Sequence, residues 1–424
     1  MSTAPARAND PIRWCLLLAL GFGALGAIRL TIPAAPYFDE IHYLPAARNL
    51  LSAASFSNQE HPMLGKEIMA LSIALLGDNP LGWRLPSLLA GMLAIYGFMR
   101  AVWFATRTRF ATLATGILLA SGFLLFVQAR IALLDIFMLA FFALALWQAA
   151  GAVRQPERGR WRLALAGIAL GLSMAAKWNV VPLAPLFGLA FLAWRLRASG
   201  WRFAFSHRGA PVPGITLAEA FLWLGIVPLA VYCLTYFPAW FLPNALSADY
   251  GLIAQHQKMI AMQEGVIGEH PYESHWYQWM LNLRPIWYLW EPVDGVQRGV
   301  LLLGNPLTML LGLPALLWCG WAGITQRRRD ALAVVVLYTV SLGFWIVAAK
   351  PVQFYYHYAL PGCLLLVALA LALDSLWRQG QRWVPLGVLT LSCALFAWFY
   401  PILSAAALEG PDSFAKWMWL DSWR

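Results

Sequence analysis

Apolar runs of membrane-crossing length recur along almost the whole chain, and no other feature limits its fold as strongly. About eleven candidate spans lie near 14–32, 83–104, 110–127, 131–153, 163–177, 180–194, 216–240, 299–321, 331–349, 354–376 and 383–402. One helix needs about 20 apolar residues to cross a bilayer, and in hydrocarbon its backbone polar groups must be satisfied from within. Charged residues make up only 12% of the chain, about half the share usual in a soluble domain. The expected fold class is therefore an all-α polytopic membrane protein. Met69 to Leu76 is too short to span and reads as an interfacial or re-entrant helix. Lys177-Trp178-Asn179 interrupts the apolar stretch that holds the fifth and sixth spans.

The arginines set the expected orientation. With the amino terminus in the cytoplasm, the cytoplasmic ends carry Arg7 and Arg13; Arg100, Arg107 and Arg109; Arg154, Arg158, Arg160 and Arg162; Arg195, Arg197, Arg202 and Arg208; Arg327, Arg328 and Arg329; and Arg378 and Arg382. That is 18 of the 30 basic residues, the bias the positive-inside rule predicts. The net charge of +10 is thus a topology signal. Its spread over six short loops excludes nucleic acid as a partner. The basic and apolar amino-terminal run ending in Pro33-Ala34-Ala35 has the look of a signal peptide, and is read as an uncleaved first span. The five cysteines fall inside spans without metal-ligand spacing and read as packing residues.

The chemistry gathers on the other side, in two outer segments at about 33–82 and 241–298. Asp39 and Glu40 follow the first span directly. Carboxylates are costly near hydrocarbon, so a pair held at the membrane edge points to function; the bland reading is that Asp39 caps a short interfacial helix over 41–53. Asp135 stands at the outer end of the fourth span, where it faces either a polar cavity or one interhelical ion partner. Lys66, Arg130, Lys177 and Lys350 lie near the same face in apolar surroundings. Singly each would snorkel to headgroups; together beside carboxylates they suggest a phosphate site. His61, His270 and His357 add donors. The tryptophans and tyrosines of 272–290 read as an aromatic belt.

Other motifs are discounted. Gly21, Gly23 and Gly26 fit a dinucleotide fingerprint but lie inside the first span, with no strand before them. Gly167 and Gly171 read as a helix-packing site.

In chain order, Phe38-Asp39-Glu40, Glu60-His61-Pro62-Met63-Leu64-Gly65-Lys66, Gly77-Asp78-Asn79-Pro80-Leu81-Gly82-Trp83-Arg84, Ala129-Arg130-Ile131 to Asp135, Ala176-Lys177-Trp178-Asn179, His270-Pro271-Tyr272-Glu273-Ser274 with Trp276, Gly304-Asn305-Pro306 and Phe354-Tyr355-Tyr356-His357-Tyr358 resemble the protein O-mannosyltransferases. These are polytopic, inverting glycosyltransferases of the GT-C class that use a polyprenyl-phosphate sugar. Met63 stands where the family usually has a second proline, and the second outer loop lacks an inserted soluble domain.

The resemblance implies one integral membrane GT-C-like domain over 1–424, a bundle of about eleven transmembrane helices with interfacial helices in the outer loops. Segment 33–82 would be the first, catalytic outer loop and 241–298 the second. It implies transfer of a sugar, mannose in the first reading, from a polyprenyl-phosphate carrier to Ser/Thr hydroxyls of proteins. The active site would lie on the periplasmic side of a bacterial inner membrane. Asp39 and Glu40 are the expected catalytic pair, with Asp39 as general base. Lys66 and Arg130 are expected to hold the donor phosphate first, with Lys177 and Lys350 next. His61, Asp135, His270, Tyr272 and His357 would orient sugar or acceptor. The lipid-linked donor is the only ligand required. No spacing calls for a metal, although two carboxylates beside a phosphate suit a divalent ion. The alternatives are the same donor chemistry on lipid A or envelope polysaccharide, and a lipid or sugar transporter.

Overall fold

A computed structural model of the chain describes residues 9–247, 249–265, 270–348 and 350–424; Arg7 lies outside the described residues. Helix α1 (Ile12–Ala27) leads into the first outer segment, which carries α2 (Glu40–Leu51) and α3 (Leu64–Leu76). Helices α4 (Pro80–Thr106), α5 (Arg109–Ala120), α6 (Leu124–Gln128), α7 (Leu134–Arg154), α8 (Gly159–Ala176) and α9 (Ala184–Ser199) follow. Next, α10 (Leu217–Phe221) passes through a π-helical turn into α11 (Val227–Leu234). The second outer segment holds α12 (Leu252–Glu264), α13 (Trp276–Met280) and an antiparallel hairpin of β1 (Ile286–Val293) and β2 (Val296–Leu302). Helices α14 (Pro306–Thr325), α15 (Arg329–Val347), α16 (Ala359–Arg378) and α17 (Trp383–Leu403) complete the chain. Among the described residues, eight helices are long and apolar enough to cross a membrane. The protein is an integral membrane protein.

Three of the expected spans, 14–32, 110–127 and 163–177, correspond to α1, α5 and α8, which are shorter or less apolar than those eight. The α5 span is broken because the chain leaves the helix at Ser121 and restarts after Phe123, which is left-handed at φ 68°. The buried Asn305 amide holds the break open by donating to the carbonyls of Ser121 and Ser392. Its own carbonyl caps α14, with Pro306 at the first helical position. The expected span 299–321 is corrected at its start. Residues 299–302 complete β2, and the helix begins only at Pro306.

Helices α4, α7 and α8 pack side by side as the centre of the bundle. Gly167 and Gly171 make the expected helix contact, here against the π-bulged helix. A Cβ at Gly167 would collide with the Trp223 carbonyl oxygen, and one at Gly171 would come 2.6 Å from that of Pro228. The arginine-bearing loops tie together at one end of the bundle. Arg100 pairs with Asp10, Arg162 lies over Phe104, and Arg329 lies 4.0 Å over Trp194. The two long segments 33–82 and 241–298 meet through hydrogen bonds from Gln255, Lys258 and Gln263 to Gln59 and Glu60.

Candidate active site

Asp39 sits at the amino-terminal boundary of α2 yet makes no capping hydrogen bond. Asp39 instead lines a cavity of about 170 Å³ with His42, Tyr43, Glu60, His61 and Lys350. The preceding Phe38 is held left-handed at φ 50°, a strained conformation for a bulky residue. Its ring stacks on Tyr288 of β1, with centroids 3.9 Å apart. The hairpin therefore supports the turn that aims Asp39. Burial raises the Asp39 carboxyl above the ordinary aspartate range; Lys177 opposes this and Asp135 adds to it.

Glu40 points elsewhere. It is fully buried and accepts two hydrogen bonds of 2.8 Å from Arg84 Nε and Nη2, and others from the backbone N–H of Tyr37 and Ala132. Arg84 also donates to the carbonyls of Leu30, Pro33 and Ala35. The pair thus clamps the first outer loop to α4. Glu40, expected as half of a catalytic pair with Asp39, is not among the residues lining either cavity.

A second cavity, of about 510 Å³, opens beside the first and shares Glu60, His61, Gln263, Lys350 and Tyr356 with it. Lys177 and His357 line it together with apolar residues such as Met174, Leu229 and Phe344. Lys177 Nζ lies 2.6 Å from Asp135 Oδ2, both nearly buried, which makes the ion partner of Asp135 explicit. Lys177 also stands 4.9 Å over the Tyr356 ring. Lys350 donates to Gln263 Oε1 at 2.8 Å. Burial, with Lys177 close by, pulls its ammonium down to about 8. His61 is held neutral by burial and by the nearby Lys177 and Lys350 charges.

The four basic residues expected at the donor phosphate lie in two different surroundings. Lys66 is fully buried and donates to the carbonyls of Asn58 and His61, at 2.6 and 2.9 Å. Burial pulls its ammonium down to about 7. Arg130 donates to the carbonyls of Gly26, Ile28, Arg29 and Ser404, closing the end of α1 against the end of α17. Both basic groups are consumed by backbone carbonyls, and Lys177 and Lys350 are the cations that face the cavity.

His270 and Tyr272 are not in either lining; His270 is exposed and accepts from the Tyr272 N–H. His357 is buried, stacks on Trp345 at 3.8 Å and accepts from the Phe354 N–H. Sequence reasoning missed Gln263 and the set formed by Trp178, Tyr232 and His256. Tyr232 Oη there lies 2.6 Å from His256 Nε2 and accepts from Trp178 Nε1. The aromatic string at 354–358 signalled Tyr356; Gln263 carried no local signal. Among the described residues no group of His, Cys, Asp or Glu is placed to hold a metal ion.

A sequence model described as "Dolichyl-phosphate-mannose-protein mannosyltransferase" matches residues 60–223, and another, "C-terminal four TMM region of protein-O-mannosyltransferase", matches 250–423. The chain belongs to the protein O-mannosyltransferase family. It is 29% identical to a polyprenol-phosphate-mannose–protein mannosyltransferase of Mycobacterium tuberculosis, over 93% of this chain and 88% of that one. The S. cerevisiae protein O-mannosyltransferase Pmt1–Pmt2 complex bound to the sugar donor shares the fold. Its TM-score is 0.80 at 15% identity, covering 98% of this chain and 93% of that one. A Pseudomonas aeruginosa undecaprenyl phosphate-α-4-amino-4-deoxy-L-arabinose arabinosyl transferase is 30% identical over 44% of this chain and 36% of its own length.

Proposed function

We propose that the protein transfers mannose from a polyprenyl-phosphate carrier to Ser/Thr hydroxyls of proteins. It would do so at the periplasmic face of a bacterial inner membrane, with the amino terminus in the cytoplasm. The supporting observation is the junction of the two cavities. Asp39 lines the smaller, Lys177 the larger, and Lys350 both. An apolar-walled cavity with a few convergent polar groups suits a lipid phosphate.

In this reading the acceptor hydroxyl enters the smaller cavity and attacks the anomeric carbon of the sugar. Its proton passes to an Asp39 oxygen while the bond from the anomeric carbon to the phosphate oxygen breaks. The carrier leaves as a phosphate anion and the anomer is inverted. Lys177 and Lys350 stabilise the charge that grows on the leaving phosphate, and no protonation of the carrier is required.

The relative from Pseudomonas aeruginosa favours a second reading, the same donor chemistry on lipid A or envelope polysaccharide. Mass spectrometry of cells carrying the wild type or Asp39→Asn separates the two. Hexose on Ser/Thr peptides that disappears in the variant supports protein transfer. Unchanged peptides with an altered envelope glycan overturn it.

A further inference from the structure

Glu60 lines both cavities, and the turn that carries it is held from every side. Asn58 Nδ2 donates to Glu60 Oε1 at 2.6 Å. Lys66 ties down the carbonyls of Asn58 and His61 from within the fold. From the opposite side Gln263 of α12 donates to the Glu60 carbonyl at 3.0 Å, and Lys258 donates to the Gln59 side chain at 2.7 Å. Asn58 itself is left-handed at φ 51°, a conformation asparagine tolerates. Among the described residues no hydrogen bond engages Glu60 Oε2, and it is not one of the sealed, unpartnered polar atoms.

A fixed carboxylate at the seam between an acceptor cavity and a carrier cavity, its second oxygen unengaged among the described residues, lies where the transferred sugar must sit. Carboxylates only accept hydrogen bonds, and sugar hydroxyls donate them strongly. Tyr43, His61 and Tyr356 line the smaller cavity beside it and offer rings to the apolar faces of a pyranose. Lys350, which lines both cavities with Glu60, offsets the carboxylate's repulsion of the donor phosphate. We propose that Glu60 accepts hydrogen bonds from ring hydroxyls of the donor hexose and so decides which sugar the site takes. This rests on the lipid-phosphate sugar donor proposed above.

The test uses the purified full chain, a Ser/Thr peptide acceptor, polyprenyl-phosphate mannose and its singly deoxygenated analogues. For the wild type, removing the hydroxyl that Glu60 contacts should lower kcat/KM about 10- to 100-fold. Glu60→Gln should lower kcat/KM for the parent donor by a similar factor, yet leave that deoxy donor almost unaffected. Asn58→Gly keeps the left-handed turn but releases Oε1, and should show a smaller discrimination between the same two donors. Equal losses for every donor in Glu60→Gln, with unchanged discrimination in Asn58→Gly, overturn the proposal while leaving the donor reading intact. Absence of transfer by the wild type overturns both.

Discussion

Asp39 and Glu40 are neighbours in the chain with carboxylates in separate surroundings: Asp39 lines the cavity, and Glu40 is sealed against Arg84. Glu40→Gln and Arg84→Met should therefore lower thermal stability, because removing one partner of a buried ion pair costs about 3–5 kcal/mol. Asp39→Asn should leave the melting temperature unchanged. The combined Glu40→Leu/Arg84→Met variant should melt above either single variant, since neither charge is left unpaired. A melting series in detergent reads all four.

Asp39→Asn should lower turnover at least about 100-fold, the usual contribution of a general base. In the wild type the base form is lost as pH falls through a carboxyl pKa raised by burial. The acid limb of kcat/KM should accordingly lie above the ordinary aspartate range. A limb at or below that range would argue against Asp39 as the titrating base.

Lys350 titrates in the opposite sense. Its ammonium, pulled down to about 8, carries charge below that pH and loses it above. KM for the lipid-phosphate donor should rise as pH climbs past about 8. Lys350→Arg should flatten that alkaline limb, because guanidinium stays charged.

Donor affinity distinguishes the basic residues. Lys177→Met and Lys350→Met should weaken binding of polyprenyl phosphate, measured directly by titration, by about 10-fold or more for a charged hydrogen bond lost. Arg130→Met should lower the melting temperature while leaving that affinity nearly unchanged, because its donors already serve backbone carbonyls.

Gly167→Leu should lower the melting temperature, since the added side chain meets the Trp223 carbonyl of a packed helix. Gly188→Leu, where a Cβ meets nothing within 4 Å, is the matched control. Equal behaviour of the two would argue against the close approach of α8 to the π-bulged helix.

Hydropathy alone determined the helical class and most span positions, because membrane crossing imposes length and apolarity on each segment separately. The ordered motifs likewise carried the family, and the Asp39 turn and its neighbourhood were legible from them. What local pattern could not separate was basic groups that face a ligand from basic groups that serve the backbone. Lys66 and Arg130 look like Lys177 and Lys350 in sequence, and only folding brings the carbonyls of 26, 28, 29, 58, 61 and 404 onto the first two. The same holds for the carboxylates, since Glu40 is paired with Arg84, 44 positions away, while Asp39 lines the cavity. The β-hairpin was hidden because the aromatic residues of β1 read as a membrane-interface belt and the apolar end of β2 merged with the span that follows it. Tertiary structure decided these roles because a side chain's work depends on which distant donors and acceptors reach it first.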